Sequence, residues 1–314
     1  MPVELVVFCG KGGVGKSTLA VGTALALARA ERRVLVVSSH PIEELALSLS
    51  LHGLEERDAA VASRLYVVHI DPLQVLESLV RSRVHPGRLA DLLLGSRVYQ
   101  SFVKVVPALK EFAFLWKLHE LARVPPAGAE LPFEFLIWDA PATGHFLETL
   151  RASVNFESFF VGPLAEQGAA ISEFFRTARL EIFPVCVAEE MSVDETFELI
   201  DALTGLAISP SAVVCNLLSP VLGFRETGVS IPQNWGALGA FVEERSREEQ
   251  HQFERLHGSG RCAVLPVPRV TRDEADLDFL LRVAEEVARN GLVEALAEEN
   301  PVVGGSHRAE GRTG

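Results

Sequence analysis

Short apolar runs alternate with longer segments of helical periodicity along almost the whole chain. Several of these runs are nearly all apolar, as expected for strands that are covered on both faces in a parallel sheet. The runs that predict strands are residues 3–9, 33–39, 65–70, 133–139, 182–188, 212–217 and 262–266. The segments that predict helices are residues 16–30, 73–83, 109–123, 193–206, 238–257 and 274–290. The alternation predicts an α/β fold with a doubly wound, mostly parallel sheet and helices on both of its faces.

The pattern continues to about residue 297 without a break that would separate two domains. We therefore predict a single domain over residues 1–297, with a helical segment at about residues 86–124 between two strands. Residues 298–314 are polar and rich in glycine, and this composition predicts a disordered tail.

The helical segment is unusually apolar, and its apolar residues form two neighbouring stripes at helical spacing. One stripe contains Phe112, Leu115, Trp116 and His119, and the other contains Phe114, Leu118 and Leu121. Together the stripes are wider than one side facing a sheet requires. Two interpretations are open: the helices cover the sheet and a dimer neighbour, or they form an exposed groove for an apolar helix or peptide.

Composition and charge exclude several classes of protein. Hydrophobic residues make up 48% of the 314 residues, which is too large a fraction for a disordered chain. The 42 acidic and 29 basic residues give a formal charge of −13, which argues against nucleic acid as a partner because phosphate binding needs a basic face. No apolar stretch is long enough to predict an integral membrane segment, and the N-terminus does not resemble a signal peptide.

The four cysteines, Cys9, Cys186, Cys215 and Cys262, are far apart and form no CxxC pair. This spacing argues against a zinc site and against a disulfide framework. It favours buried, reduced thiols in a cytoplasmic protein.

The most specific chemical signal is the glycine-rich stretch GKGGVGKST of residues 10–18, which fits the phosphate-loop pattern GxxxxGK[ST]. A predicted strand precedes it and a predicted helix follows it, as the motif requires. Its glycines allow backbone N–H groups to surround phosphate oxygens, and the helix N-terminus favours their negative charge. The predicted nucleotide-binding residues are Gly12, Gly13, Val14, Gly15, Lys16, Ser17 and Thr18. Lys16 is expected to reach the β- and γ-phosphates.

A magnesium site is predicted from two residues that are far apart in the sequence. Ser17 follows the loop lysine, and Asp139 ends the apolar run FLIWD of residues 135–139. In P-loop enzymes the loop serine ligates Mg²⁺, and an aspartate at the end of a neighbouring strand holds the ion through water. Aspartates are also common as plain strand caps, so this prediction depends on the presence of the phosphate loop.

A second lysine, Lys11, lies near the start of the loop, although the chain has only five lysines. With it, the loop resembles those of the deviant-Walker ATPases. Residues 139–147, DAPATGHFL, resemble the DTAPTGHTL segment of the ArsA-type and tail-anchored-protein-targeting ATPases, and residues 185–196 resemble that family's next strand and helix. The resemblance, which favours a bacterial ArsA-like member, implies a P-loop NTPase fold of the SIMIBI type that binds ATP and Mg²⁺. It also implies a dimer in which Lys11 reaches the partner's nucleotide.

The same resemblance implies roles for individual residues. The expected catalytic residues are Lys11, Lys16, Asp139 and His145. His145 either senses the γ-phosphate or only forms a hydrogen bond within its turn. Asn216 resembles the family's adenine-reading asparagine, although an asparagine at the end of a strand also closes turns. Pro266 and Pro268 fall where the family's adenine-side loop is expected.

Departures from the family pattern limit the expected activity. His40 stands where family members carry the aspartate that positions the attacking water, and a neutral histidine supplies no fixed negative charge there. It either takes a catalytic part or is a loop histidine without one. The chain has only two methionines, Met1 and Met191, whereas client-binding grooves in this family tend to be rich in methionine.

These observations predict an ATP-binding, ArsA-like ATPase that acts as a nucleotide-dependent dimeric switch with weak hydrolysis. The alternative is a non-hydrolysing, nucleotide-gated scaffold, or the heterodimer partner of a competent related ATPase. The expected partners are a second protomer, identical or related, and an apolar protein or peptide client. Membrane-site positioning is not favoured, because residues 274–290 are acidic rather than basic.

Overall fold

The computed structural model describes residues 4–38, 58–105, 109–123, 133–159, 163–177, 179–219, 235–271 and 276–297. Its strands are β1 (Glu4–Gly10), β2 (Val34–Ser38), β3 (Leu65–His69), β4 (Phe135–Ala142), β5 (Arg179–Val187), β6 (Val213–Leu218) and β7 (Val264–Pro268). They form one sheet in the order β3-β2-β4-β1-β5-β6-β7, and every pairing is parallel. The predicted α/β fold is therefore confirmed, and each strand overlaps the apolar run that predicted it.

Helices connect the strands. The described helices are α1 (Lys16–Arg29), α2 (Ala59–Ala62), α3 (Pro72–Arg83), α4 (Gly87–Leu94), α5 (Arg97–Val105), α6 (Leu109–Arg123), α7 (Thr143–Phe159), α8 (Pro163–Thr177), α9 (Glu190–Gly205), α10 (Gly236–Gly258), α11 (Asp276–Arg289) and α12 (Leu292–Ala297). The six predicted helices all have counterparts here. Sequence periodicity did not predict α7 and α8. The first of them begins with Thr143 and Gly144, which are weak helix formers, so its start carries no helical signal.

The sheet is covered on both faces, and β1 shows this directly because all seven of its residues are buried. Leu5 and Val7 face a layer that includes α6, α7 and α8. Val6 and Phe8 face the opposite layer, which includes α1 and α11. A strand in the middle of such a sheet has no solvent-facing side, which explains its continuous apolar run.

Helix α6 carries the two apolar stripes, and the structure shows what covers them. Phe112, Leu115 and Leu118 are fully buried, and Phe114 and Leu121 are almost fully buried. The helix packs between the sheet and the helices α3, α7 and α8, so both stripes have partners. Of the two open interpretations, the structure favours the one in which this helix covers the sheet, and Trp116 and His119 of the first stripe are half-buried.

Exposed apolar side chains occur instead on the two short helices before α6. Leu92 on α4 is 71% exposed and Val98 on α5 is 79% exposed, and Leu89 and Leu93 are also exposed.

No described helix combines the length and apolar composition that crossing a membrane requires.

Some predictions concern residues whose structure is not described. The predicted tail at residues 298–314 and His40 lie outside the described residues. The extent of the predicted domain, residues 1–297, stays a prediction.

Candidate nucleotide-binding site

The loop between β1 and α1 uses glycine at two positions that accept no other residue without strain. A Cβ atom on Gly10 would lie 2.3 Å from the carbonyl oxygen of Val185. At Gly15, φ is +92° and a Cβ atom would lie 2.4 Å from the side-chain nitrogen of Asn216. Between them, Gly12 and Gly13 are exposed, and their backbone is therefore accessible to a ligand. The sequence of the loop is thus matched to a tight turn at the carboxyl end of β1.

The turn leads directly into α1, whose first residue is Lys16. The N-cap residue, Gly15, has no side chain that could cap the first backbone N–H groups of this helix. Uncapped N–H groups at a helix N-terminus are a favourable place for an anion. Thr18, in the first helical turn, is half-buried. The loop and the helix therefore have the backbone arrangement that a phosphate site requires, and phosphate binding by these residues stays a prediction.

The Lys16 side chain curls back over the loop and donates a hydrogen bond from Nζ to the carbonyl oxygen of Lys11 at 2.8 Å. Burial lowers the pKa of this ammonium group, whereas the nearby carboxylate of Asp139 favours its charged form. Lysine in this position offers a cation at the place where phosphate oxygens would gather.

Ser17 and Asp139 meet at the carboxyl end of the sheet, although 122 positions separate them in the sequence. The Ser17 hydroxyl donates a hydrogen bond to Oδ2 of Asp139 at 2.6 Å. Asp139 lies on β4, directly beside β1, and is 1% exposed. A hydroxyl and a carboxylate at this distance suit Mg²⁺, which takes few protein ligands and completes its shell with water and phosphate. No cluster of three or more metal-binding side chains occurs among the described residues.

The side chain of Asn216, on β6, contacts the backbone of the phosphate loop. Its side-chain nitrogen donates a hydrogen bond to the carbonyl oxygen of Val14 at 2.9 Å, and the residue is buried. This contact explains why Gly15 has no room for a side chain. Its role in reading adenine stays a prediction.

A cavity of about 330 Å³ adjoins the loop. Its loop side is formed by Lys11, Gly12, Gly13 and Val14. We call four further lining residues the far side of the cavity: Leu217, Arg245, Glu249 and Arg269. Pro266 and Pro268 are not among its lining residues, and their adenine-side role stays a prediction. Sequence reasoning missed the far side, because its charged residues carry no motif.

The backbone at the end of β6 is unusual where it meets this cavity. Leu217 has a φ of +59°, which a leucine rarely adopts. The pairing of β6 with β7 also shifts register between Cys215 and Leu218. Bulges and left-handed residues of this kind are common beside functional sites, where they redirect side chains. Here the irregularity directly follows Asn216, which contacts the loop, and it includes Leu217 of the far side of the cavity.

Lys11 and His145 both lie close to acidic side chains near the surface. Lys11 Nζ lies 2.7 Å from Oε1 of Glu195 on α9, with about two fifths of each side chain exposed. His145 is exposed at the start of α7, and its Nδ1 lies 3.4 Å from Oε2 of Glu148. The structure therefore places Lys11 on the loop side of the cavity, and its amino group is engaged by an acidic residue of the same chain.

Comparison with known proteins identifies the family to which the chain belongs. The sequence profile of the ArsA family, described as anion-transporting ATPases, matches residues 3–179, more than half of the chain. The chain is 27% identical over 250 residues to a protein named ATPase GET3 from Malassezia globosa, covering 68% of this chain and 72% of that protein. Proteins of the same name from Podospora anserina and Chaetomium globosum are 26% and 28% identical, each covering 67% of this chain and 71% of the relative. The chain therefore belongs to the ArsA family and is an ATPase.

Proposed function

We propose that the protein is a Mg²⁺-dependent, ATP-driven switch in which the bound nucleotide sets the arrangement of two protomers. The observation that carries the proposal is the contact between Ser17 and Asp139 at 2.6 Å beside the phosphate loop, with Lys16 at the start of the following helix. Mg²⁺ at Ser17 and Asp139 would neutralise charge on the β- and γ-phosphates. Lys16 and the uncapped helix N-terminus would hold the phosphates themselves.

The dimeric part of the proposal rests on Lys11. The Lys11 side chain is 42% exposed, so a second protomer has access to it. The resemblance of the loop to deviant-Walker loops implies that this lysine binds the nucleotide of the partner. The ion pair with Glu195 would have to open for that contact, and such an exposed pair is worth only about 0–1 kcal/mol.

The third part of the proposal is weak hydrolysis, with His40 in place of the water-positioning aspartate. A carboxylate fixes and polarises the attacking water, and a neutral imidazole does so less well. In the alternative version the protein binds ATP without hydrolysing it and pairs with a competent related ATPase. That version predicts co-purification with a second member of the family.

The test combines Mg-ATP turnover with mass in solution for the wild type and four variants: Lys11→Ala, Lys16→Ala, His40→Asp and His40→Ala. We expect ATP to promote dimers in the wild type, and Lys11→Ala to abolish dimer formation while ADP binding persists. Lys16→Ala should abolish nucleotide binding. His40→Asp should raise turnover by about tenfold or more.

Each part of the proposal can fail separately. Fast turnover in the wild type that His40→Ala abolishes would contradict weak hydrolysis and make His40 catalytic. Turnover that stays the same in His40→Ala would show that another group orients the water. A constant mass with and without ATP would remove the dimeric switch.

A second function, binding of an apolar protein or peptide, is favoured by the exposed side chains of α4 and α5. Leu92 and Val98 are more than two thirds exposed. Exposed apolar residues in clusters are typical of binding surfaces. We expect fluorescence of an apolar probe dye to rise with the wild type and to fall in the Leu92→Glu and Val98→Glu variants. Trp116→Glu, on the buried helix α6, would instead lower stability.

A further inference from the structure

Three neighbouring strands, β3, β2 and β4, carry a polar residue on the same face near their carboxyl ends. Two positions earlier this face is apolar, and Val36 lies between Val67 and Ile137 in the strand register. These three side chains pack toward the layer that includes α1. Side chains alternate along a strand, so the residues two positions further on face the same layer. They are His69, Ser38 and Asp139.

Ser38 lies between the other two polar residues. It pairs in register with His69 on one side and with Asp139 on the other, and it is fully buried. Its carbonyl oxygen accepts a hydrogen bond of 3.0 Å from the backbone N–H of Ile70, which fixes the register at this end of the sheet. Neighbouring strands lie about 4.8 Å apart. The Ser38 hydroxyl is therefore the group that can connect an imidazole on β3 with a carboxylate on β4.

The His69 side chain has a hydrogen-bonding atom that the described structure does not use. Its Nδ1 is buried, and no partner for it occurs among the described residues. A buried polar atom without a partner lowers stability, and an apolar side chain at this position would avoid that cost. The imidazole is therefore available to a group that arrives at this end of the sheet when a ligand binds.

We propose that Ser38 and His69 bind the water shell of the Mg²⁺ ion predicted at Ser17 and Asp139. The Ser38 hydroxyl donates a hydrogen bond to Nδ1 of His69, and its oxygen accepts one from a water molecule of the shell. Protein-bound Mg²⁺ usually keeps several waters, and residues around such a shell orient it. Ser38 contacts the shell, and His69 is a positioning residue that acts through Ser38.

This inference rests on the proposed use of Mg-ATP. It goes beyond that function by assigning two residues that are not themselves ligands of the ion. They come from β2 and β3, on the side of Asp139 away from the phosphate loop strand β1.

Calorimetry of ADP binding with and without Mg²⁺ tests the assignment independently of turnover. We expect Mg²⁺ to tighten ADP binding by the wild type. Ser38→Ala should raise the Mg²⁺ concentration for half of this effect about 10- to 100-fold, and His69→Leu about 3- to 30-fold. In EDTA, affinities for ADP and for tripolyphosphate, which has phosphates but no nucleoside, should change less than about twofold. An equal loss with EDTA and with Mg²⁺ would overturn the assignment.

Two substitutions of His69 distinguish a hydrogen bond at Nδ1 from packing. His69→Asn keeps an acceptor close to the position of Nδ1, so its Mg²⁺ dependence should stay within about threefold of the wild type. His69→Gln carries its amide one bond further out and should behave like His69→Leu. Equal losses in the Asn and Gln variants would contradict a role for Nδ1.

A double variant tests whether His69 acts through Ser38. In the Ser38→Ala background, His69→Leu should cause no further change in the Mg²⁺ dependence, because the group that it positions is absent. Losses that multiply in the double variant would show that the two residues act separately, and the positioning role would then be wrong.

The unfolding temperature without nucleotide separates this role from a structural one. His69→Leu removes the unpartnered Nδ1 and should raise the unfolding temperature by about 1–4 °C. Thr23→Val, on α1, is a matched control, because Oγ1 of Thr23 is also buried and without a partner among the described residues. It should raise the temperature as well but leave the Mg²⁺ dependence unchanged. A lower unfolding temperature in His69→Leu would mean that the imidazole is needed for packing and would overturn the proposal.

Failure of the proposed function gives a different result. A wild-type protein whose ADP affinity does not respond to Mg²⁺ would contradict the magnesium site and this inference together. A clear response to Mg²⁺ that Ser38→Ala and His69→Leu leave unchanged would contradict this inference alone.

Discussion

On the loop side of the cavity, the groups of the predicted phosphate and magnesium sites come from residues 10–18, together with Asp139 on β4. The far side is formed by three segments: Leu217 belongs to β6, Arg245 and Glu249 are an i,i+4 pair on α10, and Arg269 directly follows β7. The two sides face the same space. They differ in whether the chain itself or the tertiary fold brings their groups together.

The difference has an energetic consequence. The loop side depends on backbone geometry, since Gly10 and Gly15 lie closer to neighbouring atoms than a side chain permits. The far side depends on contacts between charged side chains, such as those of the exposed Arg245 with the exposed Glu189 and the buried Glu249. We therefore expect substitutions on the loop side to be severe and substitutions on the far side to be graded.

The largest effect is expected for Gly15→Ala. The new Cβ atom would lie 2.4 Å from the Asn216 side chain, and the residue would keep a φ of +92°. The loop would have to move, and we expect ADP and tripolyphosphate affinities both to fall by more than about 100-fold. Calorimetry measures this loss. Normal affinity for both ligands would show that the loop adapts and that the contrast between the two sides is wrong.

A comparison with Gly12→Ala tests the reason for this effect. A Cβ atom at Gly12 would have no atom within 4 Å in the described structure. The unfolding temperature without nucleotide should therefore be unchanged in Gly12→Ala and lowered in Gly15→Ala. An equal decrease in both variants would show that loss of glycine, rather than the contact with Asn216, is responsible.

Glu4 lies at the amino end of β1, at the edge of the sheet opposite to the cavity. Its substitution is expected to have the next largest effect and serves as a reference for both sides of the cavity. Burial raises the pKa of Glu4 to about 7, although Arg179 acts in the other direction. Because the folded pKa lies above the ordinary value of 4.5, the stability from this group is full below pH 4.5 and is lost as the pH rises through 7. Glu4→Gln should raise the free energy of unfolding at pH 8 by about 1–3 kcal/mol. Urea unfolding at pH 5 and pH 8 measures it.

Glu134 provides a control of opposite sign at the same edge. Burial raises its pKa, but the Arg33 N–H and the Arg32 side chain outweigh burial, so the pKa is lowered. Its stability is therefore present above the unfolded pKa and is lost as the pH falls. Glu134→Gln should destabilise the protein at pH 8, while ADP and tripolyphosphate affinities stay unchanged in both variants. A change in either affinity would mean that this edge is coupled to the cavity.

The smallest effect is expected for Glu195→Gln, which releases Lys11 from its ion pair. The pair is exposed, so we expect ATP-dependent dimerisation to strengthen only about two- to fivefold, and less at high salt. Sedimentation at several ATP concentrations measures the change. Glu198→Gln makes the same charge change almost one helical turn further on and should have no effect. Weaker dimerisation in Glu195→Gln would show that Glu195 itself contributes to the interface.

Much of the fold and of the loop side follows from local sequence. The strand β1 is apolar from Leu5 to Cys9 because both of its faces are covered, and this run alone predicts its place inside a parallel sheet. The loop is recognisable because phosphate binding depends on consecutive backbone N–H groups, which a contiguous motif encodes. Asp139 was predicted for a related reason, since the carboxyl ends of parallel strands lie at one edge.

Other features could not be predicted because their partners are distant in the sequence. The apolar stripes of α6 indicate burial but do not say what buries them, and α7 and α8 do so. Arg245 and Glu249 lie in a run of charged residues, a pattern typical of a solvated helix face. Only the position of α10 beside β5 and β6 brings them to a cavity.

By itself, the sequence determined the parallel α/β fold, the phosphate loop and the pairing of Ser17 with Asp139 at one edge of the sheet. These features depend on the period of a strand and on the order of strand, loop and helix, which neighbouring residues encode. The tertiary structure alone decided that Asn216 holds the loop, that Lys11 pairs with Glu195, and that α10 completes the cavity. Those contacts join residues more than 180 positions apart in the first two cases, and only packing of the whole sheet sets such distances.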